Sequence, residues 1–366
     1  MYQTRGDFAR AVLDAKIDNP QDSAIFLSQL FFHAKEEEMK KRVIQNIFVS
    51  ILGLFFILAG SAGAEQLKFA HTMSTSDTMH QACLKFAELV KQKTNGALEI
   101  AVFPTGQLGN DSQILQGVRM GSIDMTMTGN PFHTTFEPSL NVLDLPFLFR
   151  DFSHAYRVLD GDIGKEILSR LEKHGMKGLG FLEIGFRNLT NSKRPVKEPG
   201  DVNGLKIRVT PNPAHVAAWK LLGAIPTPMP FTEVYMALKT GTVDAQENPT
   251  TLIHGQKFYE VQKYMSITMH AYTVSEVSIN LKKFQSFPTA HQKALIEALN
   301  EAAAYHRKLN RELEGGLLKE MEQKGLQVIA EPNREAFAGV VSKPVQEEYA
   351  GKFGWDTINK ITAARR

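Results

Sequence analysis

Strand-like and helix-like stretches alternate from residue 66 onward, which constrains the fold more than any other feature of the chain. Residues 66–72 alternate apolar and polar side chains as a strand does, and residues 78–93 carry apolar side chains at helical spacing. The pattern continues as a strand, a helix and a strand, predicted over 98–103, 112–120 and 125–128. Because parallel strands need a crossover between them, this alternation predicts an α/β fold whose sheet is covered on both faces.

A second α/β set begins near residue 185 and repeats this order. Strands are predicted over 204–209 and 243–247, and helices over 214–222 and 233–240. A long helical pattern follows over 288–324, where apolar side chains recur every three or four positions. At about 1.5 Å per residue this helix is roughly 50 Å long, more than one small domain requires. We therefore predict two α/β lobes with one long helix across both, and Gly315-Gly316 as a point where it bends.

The amino-terminal part of the sequence has the three components of an export signal. Residues 47–59 form an uncharged apolar run of 13 residues, shorter than the roughly 20 residues of a membrane-spanning helix. Lys40-Lys41-Arg42 precedes this run, and Ser61-Ala62-Gly63-Ala64 follows it with small residues three and one before the next bond. We predict a signal peptide over 39–64, cleavage after Ala64 and a periplasmic location. The alternatives are a buried core helix or an uncleaved anchor.

Residues 1–38 precede this signal and are not explained by it. Met39 is where a signal peptide of ordinary length begins, so we expect residues 1–38 to be a misassigned or unusual extension. The mature chain would then run from 65 to 366, which is 366 − 64 = 302 residues. The predicted lobe I comprises 65–184 plus about 275–313, and lobe II comprises 185–274 plus about 314–366.

Charge and motif content exclude several classes of function. The chain has 42 Lys and Arg against 39 Asp and Glu, a net charge of +3, which is too small and too dispersed for a nucleic-acid-binding protein. Its one cysteine, Cys83, excludes internal disulfides and cysteine-cluster metal sites, and fits a small core residue. The sequence contains no nucleophile elbow, zinc-protease, phosphate-loop or dinucleotide motif. We predict no cofactor, no metal and no catalytic residue.

The predicted strand at 204–209 carries an arginine where a buried residue is expected. Because side chains alternate along a strand, Arg208 points away from Ile207 and is at least partly buried in a covered sheet. A buried guanidinium needs an anionic partner, and Arg208 stands near the carboxyl end of its strand, where α/β folds bind ligands. A ligand carboxylate with two parallel hydrogen bonds and a structural carboxylate are equally compatible with this position.

Three other residues have a functional and a structural interpretation. Arg187 lies on a strand-like segment between the two sets, where it either binds a ligand or forms a hinge salt bridge. Asn248 ends a predicted strand, where it either donates to a ligand or caps the next helical turn. Phe231 follows a proline-rich run and forms either a rigid cleft wall or ordinary core.

Asn110-Asp111-Ser112 matches a glycosylation sequon, a match that often arises by chance.

Several long motifs occur in a fixed order together with the Arg187 and Arg208 segments. They are Phe103-Pro104-Thr105-Gly106-Gln107-Leu108-Gly109, Val142-Leu143-Asp144-Leu145-Pro146-Phe147-Leu148-Phe149, Pro230-Phe231-Thr232-Glu233-Val234-Tyr235 and Gly241-Thr242-Val243-Asp244-Ala245-Gln246-Glu247-Asn248-Pro249. With these segments the chain resembles the solute-binding proteins of TRAP transporters (tripartite ATP-independent periplasmic transporters) of the DctP type. The resemblance covers nearly all of 65–340.

The resemblance implies a two-lobed periplasmic binding protein that closes on a small organic anion in the cleft between its lobes. It implies delivery of that anion to the small and large membrane subunits of a TRAP permease, and we expect the receptor to be a monomer. Arg208 is implied as the main carboxylate partner with Arg187 assisting. The other implied ligand positions are Asn248 and Phe231 in the second lobe and His71, Thr72, Thr128 and Asn130 in the first.

The identity of the anion stays open at the level of sequence. A sugar acid, a hydroxy acid, a C4-dicarboxylate and a small sulfonate such as isethionate all suit a forked arginine contact. Gly129 stands where some sialic-acid binders place an acidic residue, which disfavours that ligand. A ligand-presenting sensor of the same fold is the alternative function. A secreted enzyme that seats a carboxylate is a third, for which the sequence offers no convincing general base.

Overall fold

The structure, a computed structural model, describes residues 20–58 and 64–365. The chain divides into two compact units, residues 1–63 and residues 64–366. In the first unit, helix α1 spans Pro20–Leu58 and contains the predicted signal from Met39 to Leu58. The small residues 61–63 before the predicted cleavage bond, and residues 1–19 of the predicted extension, lie outside the described residues. Over the described ranges, every helix is too short or too polar to cross a membrane.

The second unit contains eleven strands and a set of helices within its described residues, 64–365. The strands are β1 Glu65–Ala70, β2 Leu98–Phe103, β3 Met125–Gly129, β4 Met176–Phe186, β5 Asn188–Asn191, β6 Lys206–Val209, β7 Ile225–Pro228, β8 Ala245–Asn248, β9 Tyr264–Ser266, β10 Tyr272–Asn280 and β11 Gln327–Ile329. The α-helices are α2 Thr78–Lys93, α3 Asp111–Met120, α4 Asn130–His133, α5 Phe152–Asp160, α6 Asp162–Ser169, α7 Pro213–Leu221, α8 Val234–Lys239, α9 Thr250–Gly255, α10 Leu281–Ser286, α11 Thr289–Gln323, α12 Arg334–Phe353 and α13 Asp356–Ala363. Short 3-10 helices lie at Pro138–Asp144, Glu172–His174, Pro199–Val202, Phe231–Glu233 and Phe258–Glu260.

The strands form two sheets, and neither is purely parallel. The first sheet has the order β2-β1-β3-β10-β4 and the second has the order β11-β9-β5-β8-β6-β7. β1 runs parallel to β2 and β3, as the alternation of strands and helices predicts. β10 is antiparallel to both β3 and β4, and β5 is antiparallel to β8 and β9. The chain passes from one sheet to the other through β4, β5, β9 and β10, and each of these antiparallel pairs includes β5 or β10. The predicted parallel pairing of strands therefore holds only for the βαβ units.

Two adjacent extended segments connect the first sheet to the second. β4 passes into β5 through Arg187, and β9 returns to β10 through residues 267–271. The two segments are hydrogen-bonded, because the Arg187 N–H donates to the Ala271 carbonyl at 2.8 Å and the His270 N–H donates to the Arg187 carbonyl at 3.2 Å. Gly185, with a φ of +114°, allows a bulge that places Ile184 out of the β4–β10 register just before this crossing. Arg187 is therefore fixed at the junction of the sheets.

The long helix α11 contacts elements that belong to both sheets. It packs against α2 and β4 on the side of the first sheet and against α9, which follows β8 of the second. The Thr78 hydroxyl donates to Asn310 Oδ1 at 2.7 Å, and His254 Nε2 lies 3.0 Å from Glu320 Oε2. The prediction of one long helix is confirmed over Thr289–Gln323, and the helix continues through Gly315 and Gly316 without interruption.

The core of each sheet explains why the predicted elements form. Helix α2 has the predicted bounds, with its buried stripe on the first sheet and Cys83 fully buried there. In β6, Ile207 and Val209 are buried with Leu205 in a cluster under the second sheet, while Lys206 is exposed. The last helix, α13, packs on α6 near the first sheet, and His154 Nε2 lies 2.8 Å from the Ile361 carbonyl. These contacts place 356–363 beside helices α5 and α6.

Asp77 caps helix α2 from a fully buried position, which makes its protonation relevant to stability. Its Oδ1 accepts from the Met79 N–H at 2.8 Å, whereas its Oδ2 is buried without a partner. Burial raises the pKa of Asp77 to about 7. A carboxyl group whose pKa is raised by folding contributes stability that is complete below its unfolded pKa and is lost as the pH rises toward the folded pKa.

We predict that Asp77→Asn becomes progressively more stable relative to the wild type between about pH 4 and about pH 8. Asparagine keeps the cap but carries no charge to bury, so the difference in unfolding free energy should change by about 4 kcal/mol across this range. Urea denaturation at several pH values measures it. Near pH 3 the difference should stop changing with pH. A difference that stays constant up to about pH 8 would contradict the prediction.

Candidate functional site

A small cavity lies where the two sheets meet and is lined by residues from both. Its volume is about 30 Å³, room for about two water molecules. The lining residues from the first sheet and its loops are Met73, Asp111, Gly129, Pro131, Phe132, Ile184 and Thr273, and those from the crossing and the second sheet are Arg187, Arg208, Thr210, Phe231, Asn248 and Leu252. Four of the predicted site residues, Arg187, Arg208, Phe231 and Asn248, therefore meet at one place.

Arg208 is fully buried at this cavity and only partly satisfied. Its Nε and Nη2 donate to the Met229 carbonyl at 3.2 and 2.9 Å, while its Nη1 is buried without a hydrogen-bond partner. Among residues 64–365, no carboxylate lies within ion-pair distance of Arg208. Burial and the charge of Arg187 lower the pKa of Arg208 to about 10, so the side chain remains cationic at neutral pH. The guanidinium carries an uncompensated charge beside the cavity.

Arg187 differs from Arg208 because it already has a carboxylate partner. Its Nη2 donates to Glu247 Oε1 at 3.0 Å, and its Nε donates to Glu247 Oε2. Burial raises the pKa of Glu247, but Arg187 and a hydrogen bond with His270 at 3.1 Å together lower it well below its ordinary value. β8 places Glu247 opposite Leu189 in the register with β5, two residues beyond Arg187. Arg187 and Glu247 thus form a buried ion pair at the edge of the cavity.

Asn248 and Phe231 complete the wall that belongs to the second sheet. Asn248 Oδ1 accepts from Arg187 Nη2 at 3.1 Å, and its Nδ2 donates to Gln246 Oε1 at 2.7 Å. It does not cap helix α9, whose first turn has no side-chain cap. The Arg208 Cζ atom lies 5.8 Å from the centre of the Phe231 ring, a cation–π distance. Phe231 therefore contributes both an apolar surface and a favourable contact for the Arg208 charge.

The four residues predicted from the first lobe are buried near the cavity, but among the described residues none of them lines it. The Thr72 hydroxyl donates to Asp111 Oδ1 at 3.0 Å, and the Thr128 hydroxyl lies 2.6 Å from that of Thr126. His71 Nε2 lies 3.1 Å from His80 Nδ1, and burial together with His80 lowers the pKa of His71 to about 3. These side chains support the wall of the first sheet from behind.

Asn130 belongs to a hydrogen-bonded bridge between the sheets. Its Nδ2 donates to Asp144 Oδ2 at 2.5 Å. Asn212, the N-cap of helix α7 that packs on the second sheet, donates from its Nδ2 to the same oxygen at 2.9 Å. Burial raises the pKa of Asp144 to about 7. Asp144 therefore links Asn130, beside the first sheet, to the start of helix α7, beside the second sheet.

Asp111 lines the cavity and was not predicted as a site residue. Its Oδ1 accepts from Thr72, but its Oδ2 is buried without a partner. Burial raises the pKa of Asp111 to about 6 against the opposing effects of the Thr72 hydroxyl and the Arg208 charge. The signal that could have identified Asp111 is its place in the first turn of a helix that follows the carboxyl end of a parallel strand.

The loop between β2 and α3 explains how Asp111 reaches the cavity. Asn110 caps α3 in a capping box with Gln113, which fixes Asp111 as the first helical residue. Gly106 has a φ of +70°, and a Cβ atom there would lie 3.1 Å from the Gly109 carbonyl and 3.3 Å from Thr232 Cγ2. This loop therefore needs glycine both for its turn and for its approach to the residue next to Phe231.

Comparison with known proteins matches this architecture to one family. The family described as bacterial extracellular solute-binding protein, family 7 (DctP), matches residues 69–352. The chain belongs to this family. It is 42% identical over 299 residues to the 2,3-diketo-L-gulonate-binding periplasmic protein YiaO of Escherichia coli K12, covering 82% of this chain and 91% of that protein. It is 33% identical over 342 residues to the C4-dicarboxylate-binding periplasmic protein DctP of Rhodobacter capsulatus, covering 89% and 99%.

Solved structures of the DctP family confirm the fold and the kind of ligand such folds hold. A TRAP periplasmic solute-binding protein from Polaromonas sp. JS666, bound to D-erythronate, superposes with a TM-score of 0.80 at 33% identity. The match covers 82% of this chain and 99% of that one. The predicted α/β fold of a TRAP solute-binding protein is therefore confirmed, as is its membership of a family of organic-acid receptors used in transport.

The contrast between the two arginines gives a stability prediction for this DctP-family chain. Arg187→Met leaves Glu247 buried without its partner, which should lower the free energy of unfolding by about 3–5 kcal/mol. Arg208→Met removes a charge that has no carboxylate partner, so its cost should stay below about 2 kcal/mol. Urea denaturation of the two variants and the wild type without added acid measures both values. A loss for Arg208→Met as large as that for Arg187→Met would contradict the assignment.

Proposed function

We propose that this chain is the solute-binding component of a TRAP transporter and that it captures a small organic acid through Arg208. The buried and unpaired Nη1 of Arg208 beside the cavity is the observation that carries this proposal. A buried donor without a partner is costly, and an anionic acceptor relieves that cost. Because guanidinium presents parallel N–H groups, a carboxylate or a sulfonate suits it equally.

The remaining predicted residues take supporting roles in this proposal. Arg187 adds positive potential beside Arg208 while Glu247 holds it in place, and Asn248 and Phe231 line the ligand. Thr72 holds Asp111 in position by donating a hydrogen bond to it, and Asn130 does the same for Asp144. His71 and Thr128 back the wall of the first sheet.

Ligand capture in this proposal proceeds by closure of two lobes. The lobes divide at the paired crossings near residues 185–188 and 267–274, with the long helix α11 along both. A cavity of about 30 Å³ is too small for a sugar acid, so the lobes must separate for the acid to enter. The acid then favours a closed form, with a cavity wider than in this structure, by touching both walls, and exclusion of water strengthens its contact with Arg208.

The relatives support a ligand drawn from the sugar acids, hydroxy acids or C4-dicarboxylates. The E. coli relative is named for 2,3-diketo-L-gulonate, the R. capsulatus relative for C4-dicarboxylates, and the Polaromonas structure contains D-erythronate. In this proposal the receptor releases its acid, chemically unchanged, to the small and large membrane subunits of a TRAP permease. Recovery of a bound acid unaltered after prolonged incubation distinguishes such a receptor from an enzyme.

We expect Arg208→Ala to abolish high-affinity binding of organic acids. A thermal-shift screen of sugar acids, hydroxy acids, C4-dicarboxylates and isethionate identifies the acid that stabilises the wild type, since bound ligand raises stability. Calorimetry with that acid should show a loss of on the order of 2–5 kcal/mol in Arg208→Ala, about 30-fold or more in Kd. Arg208→Lys should also bind weakly because the fork is lost.

The control is Arg150→Ala, which removes an exposed arginine that pairs with Asp151 on the surface. This variant should bind like the wild type. Affinity close to that of the wild type in Arg208→Ala would refute the role of Arg208, and the absence of any stabilising acid in the screen would refute the proposed ligand class.

Export gives a separate prediction about the amino terminus. We propose a periplasmic location reached through the signal over 39–64, with cleavage after Ala64. Intact-mass analysis of the protein released from the periplasm should give the mass of residues 65–366, and its first residue should be Glu65. Replacing Ala64 with a bulky residue should leave an uncleaved precursor, because signal cleavage requires a small residue there. A periplasmic protein that still contains residues 39–64 would refute the predicted cleavage.

A further inference from the structure

The loop that follows β1 of the first sheet meets the end of helix α9, which belongs to the second sheet, directly beside the cavity. The Ser74 hydroxyl donates to the Gly255 carbonyl at 3.0 Å, and the Ser76 hydroxyl donates to the same carbonyl at 3.4 Å. Met73, which precedes Ser74, lines the cavity, and so does Leu252 of helix α9. Ser74 is half-buried and Ser76 is exposed, so this contact lies between the cavity and solvent.

The Gly255 carbonyl is an acceptor that helix α9 cannot satisfy by itself. Gly255 is the last residue of the helix, and the last carbonyls of a helix have no N–H partner within it. The donors come from the first lobe instead, as the Ser74 and Ser76 hydroxyls, which also lie 3.0 Å from each other. Separation of the lobes therefore breaks hydrogen bonds that the closed form makes.

Glycine at position 255 is required for the lobes to approach so closely. A Cβ atom there would lie 2.8 Å from Asp77 Oδ2 and 3.5 Å from Asp77 Cβ. The Asp77 side chain is buried and cannot turn away freely, because its Oδ1 caps helix α2 by accepting from the Met79 N–H. A residue larger than glycine would therefore push the loop and helix α9 apart.

Both halves of the contact are attached to the long helix α11, at separate points. The Thr78 hydroxyl, at the start of α2, donates to Asn310 Oδ1 at 2.7 Å. His254, next to Gly255, has its Nε2 atom 3.0 Å from Glu320 Oε2. These points lie on either side of the glycine pair at 315–316, where the helix backbone is least restricted. The attachments therefore fix each half of the contact and still let the halves part.

We propose that Ser74, Ser76 and Gly255 form a latch that holds the lobes closed over a bound acid and limits the rate of its release. The inference rests on the proposed function, in which the acid enters and leaves only when the lobes are separate. Because the latch forms only in the closed state, its loss should raise koff without lowering kon.

The first test removes both hydroxyls, because either serine alone can still donate to the carbonyl. In Ser74→Ala/Ser76→Ala, koff should rise about fivefold or more while kon stays the same or increases. The probe is the best-binding acid of a panel of D-erythronate, galactonate, glucuronate, succinate and isethionate. Stopped-flow tryptophan fluorescence measures kon and koff, and calorimetry measures Kd. Ser286→Ala is the matched control, because its hydroxyl bonds the Lys283 carbonyl within the first lobe, and its rates should equal those of the wild type.

The second test uses the glycine and includes a rescue. Gly255→Ala should raise koff about tenfold, because the added Cβ atom meets Asp77. Adding Asp77→Ser keeps a good helix cap but removes Oδ2, so koff should return to within about threefold of the wild type. General loss of stability would not be reversed in this way. Gly351→Ala is the control, because a Cβ atom there has no other atom within 4 Å, and it should release the acid like the wild type.

The outcomes separate the latch from the proposed function. A koff in Ser74→Ala/Ser76→Ala within about 1.5-fold of the wild type, while Arg208→Ala abolishes binding, would overturn the latch and leave the proposed function standing. A weaker Kd caused by a slower kon would overturn the latch in the same way. Failure of the wild type to bind any acid of the panel would overturn the proposed function and the latch with it.

Discussion

The buried ion pair between Arg187 and Glu247 is the interaction on which the arrangement of the site depends. It forms where the chain first crosses between the sheets, and it joins the crossing segment to β8. Glu247 compensates Arg187, whereas the second buried arginine, Arg208, has hydrogen bonds only to the Met229 carbonyl, besides its contact with Phe231. Two arginines in one small space repel each other, and the Glu247 carboxylate reduces that repulsion. The carboxylate thus lets one guanidinium be structural while the other keeps its charge available to a ligand.

Sequence periodicity predicted the elements that have one buried face. Helix α2 and strand β2 have the predicted bounds, since α2 carries apolar residues at helical spacing and both elements end at turn residues. Strands β4 and β10 were not predicted, and both are buried on both faces along most of their length. Their antiparallel pairing, which returns the chain to the first sheet, is a tertiary property that local periodicity cannot reveal.

The site was predicted unevenly for a similar physical reason. A charged residue on a strand that must be buried, such as Arg208, is conspicuous in sequence, and the structure brings it together with Arg187, Asn248 and Phe231. The sequence does not reveal which of the two arginines forms an ion pair with a carboxylate of the protein, because Glu247 is 60 residues from Arg187. Asp111 was missed because an acidic residue in the first turn of a helix is ordinary there. Only the packing of its loop on the second sheet shows that it is buried.

Strand β7 forms one edge of the second sheet, and its proline content affects how the protein behaves in a crowded compartment. Ile225 and Met229 direct their N–H groups inward, to the carbonyls of Leu205 and Val209. Pro226 and Pro228 alternate with these positions, so the outward-facing edge lacks donors where an incoming strand would seek them. This edge of the second sheet is thereby protected from pairing with a strand of another molecule, and the protection requires no charged residue on the strand.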